Sequence, residues 1–160
     1  MNRIILSLVL IFYSMNGFGY ELSDNAQIHG FLTQNAFYTS ANNFYGKSEQ
    51  QVSTGLTEIG LNISYQPLDN LNFTAQGLFR RAGEVDTGSL NLDYGFADIT
   101  LKNYQQGRFG IRLGRVKNPL GLYNETRDVA FTTPSIVLPQ GIYYDRSRSL
   151  LLSLDGGQFY

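Results

Sequence analysis

At 160 residues with no cysteine, no tryptophan and a single histidine, the chain has no disulfide framework, no thiolate chemistry and no multi-histidine metal site. Its 12 basic and 13 acidic residues give a formal net charge of −1, a balance that lacks the electrostatic footprint of a nucleic-acid-binding protein. The 11 Tyr, 11 Phe and 17 Gly favour strands and turns over helices.

The first element has the order of an export signal. Arg3 supplies a positive start, Ile4 to Tyr13 is an apolar run, and Gly17-Phe18-Gly19 offers the small-x-small pattern of a cleavage site. The run is shorter than the roughly 20 apolar residues that an α-helix needs to span a bilayer. Residues 1–19 are therefore expected to be removed, which takes Arg3 away and leaves 11 basic and 13 acidic residues, a formal charge of −2. No later stretch is long and apolar enough for a spanning helix, so a membrane-spanning mature chain must be a barrel, whose backbone groups satisfy one another.

Period-two alternation dominates the remainder of the chain. Gln27 to Thr39 reads as an opening strand of mixed pattern. Thr57 to Tyr65 puts Ile59, Leu61, Ile63 and Tyr65 on one face and Glu58, Gly60, Asn62 and Ser64 on the other. Leu71 to Arg80 repeats this, with Asn72, Thr74, Gln76 and Arg80 on the polar face and Leu78 as the exception. Both approach the length of a tilted membrane strand and together predict a hairpin with one apolar and one wet face. Leu92 to Leu101, Phe109 to Gly114 and Ser147 to Asp155 are further strands, and a new one begins at Gln158. The fold class is all-β: an antiparallel transmembrane β-barrel portion of about six strands plus the start of a seventh. Glu58, Asn62, Arg80 and Arg112 are expected to face the lumen.

The connections alternate in length: Ser40 to Thr54 long, Gln66 to Asn70 short, Arg81 to Asn91 long, Lys102 to Gly107 short, Lys117 to Asp145 very long. Asp155 to Gln158 is short, with Gly156-Gly157 read as a turn. Outer-membrane barrels have this asymmetry, with short turns on one side and long loops on the other; a soluble sandwich has no reason for it. The longest connection holds Pro119, Pro134 and Pro139 together with many apolar residues. It is too apolar for disorder and should pack against the lumen wall.

Gly114-Arg115-Val116-Lys117-Asn118-Pro119-Leu120-Gly121 opens that connection. The stretch Gly114 to Ser149 resembles the third-loop region of Gram-negative porins, closest to the sixteen-stranded trimeric group that includes phosphate-selective members. The Leu92-Asp93-Tyr94 strand also looks like that family. The resemblance implies that residues 20–160 form the N-terminal part of a porin barrel in the outer membrane, with 117–145 an inward-folded constriction loop. It implies outer-membrane lipid and small hydrophilic solutes as partners, a homo-trimer for the full-length protein, and no cofactor. The chain holds fewer strands than such a barrel, so it is expected to be the first third or so of a longer reading frame. A small complete barrel, or a secreted β-domain with an adhesive or structural role, is the alternative.

No catalytic residue stands out: His29 sits in a strand and no G-x-S-x-G nucleophile motif is present, so the chain reads as a non-enzyme. Charge gathers instead around the long connection. Arg115, Lys117, Arg127, Arg146 and Arg148 against Glu125, Asp128 and Asp145 give a local balance of +2. Two roles are open for them: salt bridges that hold the loop, or a charged constriction with an anion-leaning field. The constriction set is Lys117, Glu125, Arg127, Asp128 and Arg148, with Arg127 and Arg148 foremost.

Overall fold

The computed structural model describes residues 18–127, 132–135, 137–139, 141–143 and 152–160. Among these, seven strands form one antiparallel sheet in strict chain order: β1 (Phe18–Ser23), β2 (Ala26–Phe37), β3 (Ser53–Leu68), β4 (Leu71–Ala82), β5 (Asp86–Tyr104), β6 (Gly107–Lys117) and β7 (Ser153–Phe159). No second sheet packs on it among the described residues. The all-β class read from the alternation is what the chain adopts. Among the described residues no helix is long and apolar enough to cross a membrane, which says nothing of strands.

The hairpin read from parity is present, with its apolar residues paired across one face and its polar residues across the other. Ile59 faces Phe79, Leu61 faces Gly77, Asn62 faces Gln76 and Ser64 faces Thr74. β3 runs past Pro67 to Leu68 through a register shift between Tyr65 and Leu68. An irregularity there spares the ladder the N–H that proline lacks.

Three expectations are corrected. Arg81 to Asn91 is not a long loop: β4 runs to Ala82 and β5 starts at Asp86, leaving a three-residue connection. Its polar turn-forming residues extend the hairpin instead, with Asp86 accepting hydrogen bonds from the Gly88 amide (3.2 Å) and the Ser89 hydroxyl (3.0 Å). Gly156-Gly157 is not a turn, because Gly156 pairs with Gly114 and Gly157 with Leu113 inside β7. Gln158, paired with Arg112, therefore continues β7 and starts no new strand. The alternation also gave no sign of β1, which pairs with β2 and begins at Phe18, just ahead of the expected cleavage point. Residues 1–17, and with them most of the export signal, lie outside the described residues.

Connection length still sorts by end of the sheet. The links β1–β2, β3–β4 and β5–β6 have two residues each, at one end; the other end carries 38–52, 83–85 and 118–152. The 38–52 connection folds back on the sheet. Phe37, Phe44 and Tyr45 pack their rings at 4.4–5.5 Å between centroids, and Ser53 Oγ donates to the Tyr45 carbonyl (2.5 Å). Tyr45 has φ of +49°, and Gly83 beneath it has φ of +58° with no room for a Cβ, which would sit 2.9 Å from the Tyr45 Cα. Among the described residues only Leu56, Leu78, Ala82, Val116, Tyr143 and Leu152 are buried apolar side chains. Leu56 and Ala82 are register partners near this end, so what apolar core exists gathers toward the folded connections.

Candidate functional site

The two faces of the sheet are inverted relative to a soluble protein. On β3, Ile59, Leu61, Ile63 and Tyr65 are 45–52% exposed, whereas Glu58, Asn62 and Ser64 between them are half-buried. The same sidedness continues across the ladder: Phe73 on β4, Leu90 and Leu92 on β5, Leu113 on β6 and Phe159 on β7 are exposed. An isolated exposed apolar residue means little, but a contiguous apolar face marks an interaction surface.

The opposite face is polar and networked. Glu58 and Arg80, register partners, are joined at 2.8 Å (Arg80 Nε to Glu58 Oε1) with side chains 13% and 6% exposed. Asn62 donates to the Tyr94 hydroxyl, and Ser64 Oγ donates to Asn72 Oδ1 at 3.0 Å. Arg112 pairs with Asp98 across β5–β6 at 3.2 Å and lies over the rings of Phe96 and Tyr160, at 5.3 and 4.7 Å. The Tyr160 hydroxyl donates to Asp98 in turn. Glu58, Asn62, Arg80 and Arg112, the four residues expected on the wet face, thus share one polar surface. His29 lies there too, opposite Asn62, with Nε2 3.3 Å from Gln27 Oε1.

The densest part of this network sits where β5, β6, β7 and the long connection meet. A β-bulge sets it up. Gln76 pairs with Tyr94 and the next residue, Gly77, with Leu92, which leaves Asp93 as the extra residue of β5. A bulge re-aims a side chain, and here Asp93 joins Tyr94 at the polar network. Asp93 is 6% exposed and accepts from Gln76 Nε2 (3.3 Å), Lys117 Nζ (3.3 Å) and Arg127 Nη2 (2.7 Å). Lys117 Nζ also donates to the Glu125 carbonyl (3.0 Å) and lies 5.0 Å from the centre of the Tyr94 ring.

Arg127 is buried by its partners. Besides Asp93 it donates to the Leu152 carbonyl (3.3 Å), the Ser153 hydroxyl (3.3 Å) and the side-chain oxygen of Asn124. Asn124, 1% exposed, donates to the carbonyls of Asn118 and Leu152. The Leu152 carbonyl also receives the Asn118 amide at 3.0 Å.

Of the residues expected at a constriction, Lys117 and Arg127 are thus brought together on Asp93, and Glu125 takes part through its backbone carbonyl. Asp128 and Arg148, with Asp145 and Arg146, lie outside the described residues. Arg115 is on the apolar side, paired with Asp155 at 3.2 Å. Sequence reasoning missed Asp93, Asp98, Asn124 and Tyr160 as members of the site. Asp98 was within reach, since it shares parity with Tyr94 and Phe96, whereas Asp93 was not, because a bulge breaks parity. Among the described residues no three His, Cys, Asp or Glu side chains form a metal-holding group.

No family model, curated protein or solved structure matches this chain.

Proposed function

We propose that the chain, exported by its first 19 residues, forms part of the wall of a Gram-negative outer-membrane β-barrel and serves passive diffusion of small hydrophilic solutes. The inverted sidedness of the sheet carries this reading: an exposed apolar face, with an ion-paired and hydrogen-bonded face behind it. Lipid covers the first and a water-filled lumen accommodates the second, the alternation expected of membrane barrel strands.

Two further features support it. Outward-facing aromatics collect toward the end with two-residue turns, where Tyr20, Tyr65, Phe73, Tyr104, Phe109 and Phe159 are all exposed. Rings at that level fit one of the two interfacial girdles of a barrel, and the two-residue turns fit its periplasmic end. Toward the other end, the outer side turns polar, with Gln34, Thr57 and Arg81 in hydrogen-bond contact on β2–β4 and the Arg115–Asp155 pair on β6–β7. Strands of 11–19 residues from β2 to β6 exceed the roughly ten that a tilted crossing requires.

The absence of cysteine allows a direct test. Single cysteines at Leu61, Phe73 or Leu113 and at Asn62, Thr74 or Arg112 are probed in outer-membrane preparations with a membrane-impermeant maleimide. The second set should label and the first should stay protected until detergent is added. Planar-bilayer recording of the purified full-length barrel should then give discrete current steps. Equal labelling of both sets would reject the barrel wall; correct labelling without current would point to an anchoring or adhesive barrel.

A further inference from the structure

Two cations converge on Asp93 from one end of the longest connection, and the same few atoms meet the residues at its other end. Lys117 precedes the outgoing segment 118–127 and Arg127 ends it; Leu152 and Ser153 are where the chain re-enters the sheet. The Leu152 carbonyl gathers the Asn118 amide, Asn124 Nδ2 and Arg127 Nη1, while Arg127 Nη2 reaches Asp93 on β5 and Ser153 on β7. Outgoing chain, returning chain and wall are tied at one point. We propose that Asp93, re-aimed by its β-bulge, is the anchor that fixes segment 118–127 against the polar wall and so sets the open cross-section of the channel. This deepens the diffusion-channel reading and rests on it.

The chemistry favours anchoring over ion selection for these cations. A selectivity charge needs water in front of it, whereas the Arg127 side chain is 2% exposed and that of Lys117 is 11% exposed. Asp93, at 4% side-chain exposure, is the carboxylate that both salt bridges share. Breaking a buried pair by removing one partner leaves an uncompensated charge that is strongly destabilising. The least disruptive relief is for the loop to lift away, since the strand ladder holds β5 while the segment 118–127 has no ladder of its own. Asp93 is a positioning residue: it touches no solute and acts through the loop.

The test compares native protein with Asp93→Asn, Arg127→Gln and the double variant, in detergent or vesicles, by hydrogen exchange and by bilayer conductance. Asp93→Asn should raise exchange across 118–127 on the order of 100-fold or more, the equivalent of about 3 kcal/mol, while β3–β4 exchange is unchanged. The double variant should exchange more slowly than Asp93→Asn alone, because it removes one of the stranded cations. Single-channel conductance of Asp93→Asn should rise together with loop exchange. Unchanged exchange in 118–127 overturns the anchor, whatever the conductance. Faster exchange at unchanged conductance also overturns the proposed control of cross-section. A native protein that never conducts, yet shows the exchange pattern, leaves the anchor standing and rejects the channel reading instead.

Discussion

Two buried ion pairs on the same polar face invite comparison. Glu58 and Arg80 are register partners inside one hairpin, 22 residues apart in sequence, and the ladder brings them opposite each other whether or not they attract. Asp93 and Arg127 are 34 residues apart, on a strand and a loop, and no backbone ladder between them imposes their meeting. The first pair adorns a geometry fixed by other forces. The second makes its geometry. A salt bridge therefore carries different structural weight according to whether its removal leaves a hydrogen-bonded framework behind.

The largest difference is expected from neutralising the acid of each pair. Asp93→Asn should destabilise closure of the loop base by about 3–5 kcal/mol, since two cations lose their shared anion. Glu58→Gln strands a single buried cation, Arg80, and keeps an acceptor for its Nε, so it should cost less, about 3 kcal/mol, spread over the sheet. Urea titrations in vesicles, followed by hydrogen exchange, would separate the two: comparable opening of segment 118–127 in both variants would erase the distinction.

Facing gives the next effect in size and applies to the hairpin alone. Arg substituted at Leu61 or Phe73 should cost about 2–4 kcal/mol if these positions lie near the bilayer midplane, whereas Arg at Asn62 or Thr74 should be mild. Heat-modified electrophoretic mobility and urea midpoints of the inserted protein measure both. Equal penalties on the two faces would mean that the apolar side meets no lipid.

The smallest expected effect sharpens the contrast within the hairpin. Ser64→Ala removes the 3.0 Å hydrogen bond to Asn72 and should cost only about 0.5–1.5 kcal/mol, because the flanking backbone pairs Ser64–Thr74 and Tyr65–Phe73 persist. Asn124→Ala, by contrast, strips donors from two carbonyls at the loop base and should cost more than Ser64→Ala under the same urea titration. The reverse order would show that the ladder, and not the loop base, depends on side-chain bonds.

Legibility in the sequence splits along the same divide. The β3–β4 hairpin is legible because its alternation is local and uninterrupted, and parity alone places Glu58, Asn62 and Arg80 on one face. β1 is hidden by the export-signal pattern, in which Gly17-Phe18-Gly19 reads as a cleavage site. The end of the β4–β5 hairpin reads as a loop because Gly83, Asp86, Gly88 and Ser89 are turn residues by type, although they serve strand ends here. Gly156 and Gly157 lack side chains to show a period, yet their backbones pair with β6. The meeting of Asp93 and Arg127 leaves no trace in periodicity, because it depends on one extra residue in a strand and on a loop that returns to the sheet.

Three donors approach the carbonyl of Leu152, and their places in the chain bear on the order in which the molecule assembles. They belong to residues 118, 124 and 127, and the acid that anchors one of them is at 93. The hairpins can zip from their two-residue turns with little chain to search. The loop base needs β5, β6 and β7 already side by side, and contacts of such long sequence separation form late because loop closure must precede any gain from them. During folding the polar face would accordingly stand open first and narrow afterwards, so that substitutions at Asp93 or Arg127 should hasten unfolding while leaving the rate of sheet formation nearly untouched.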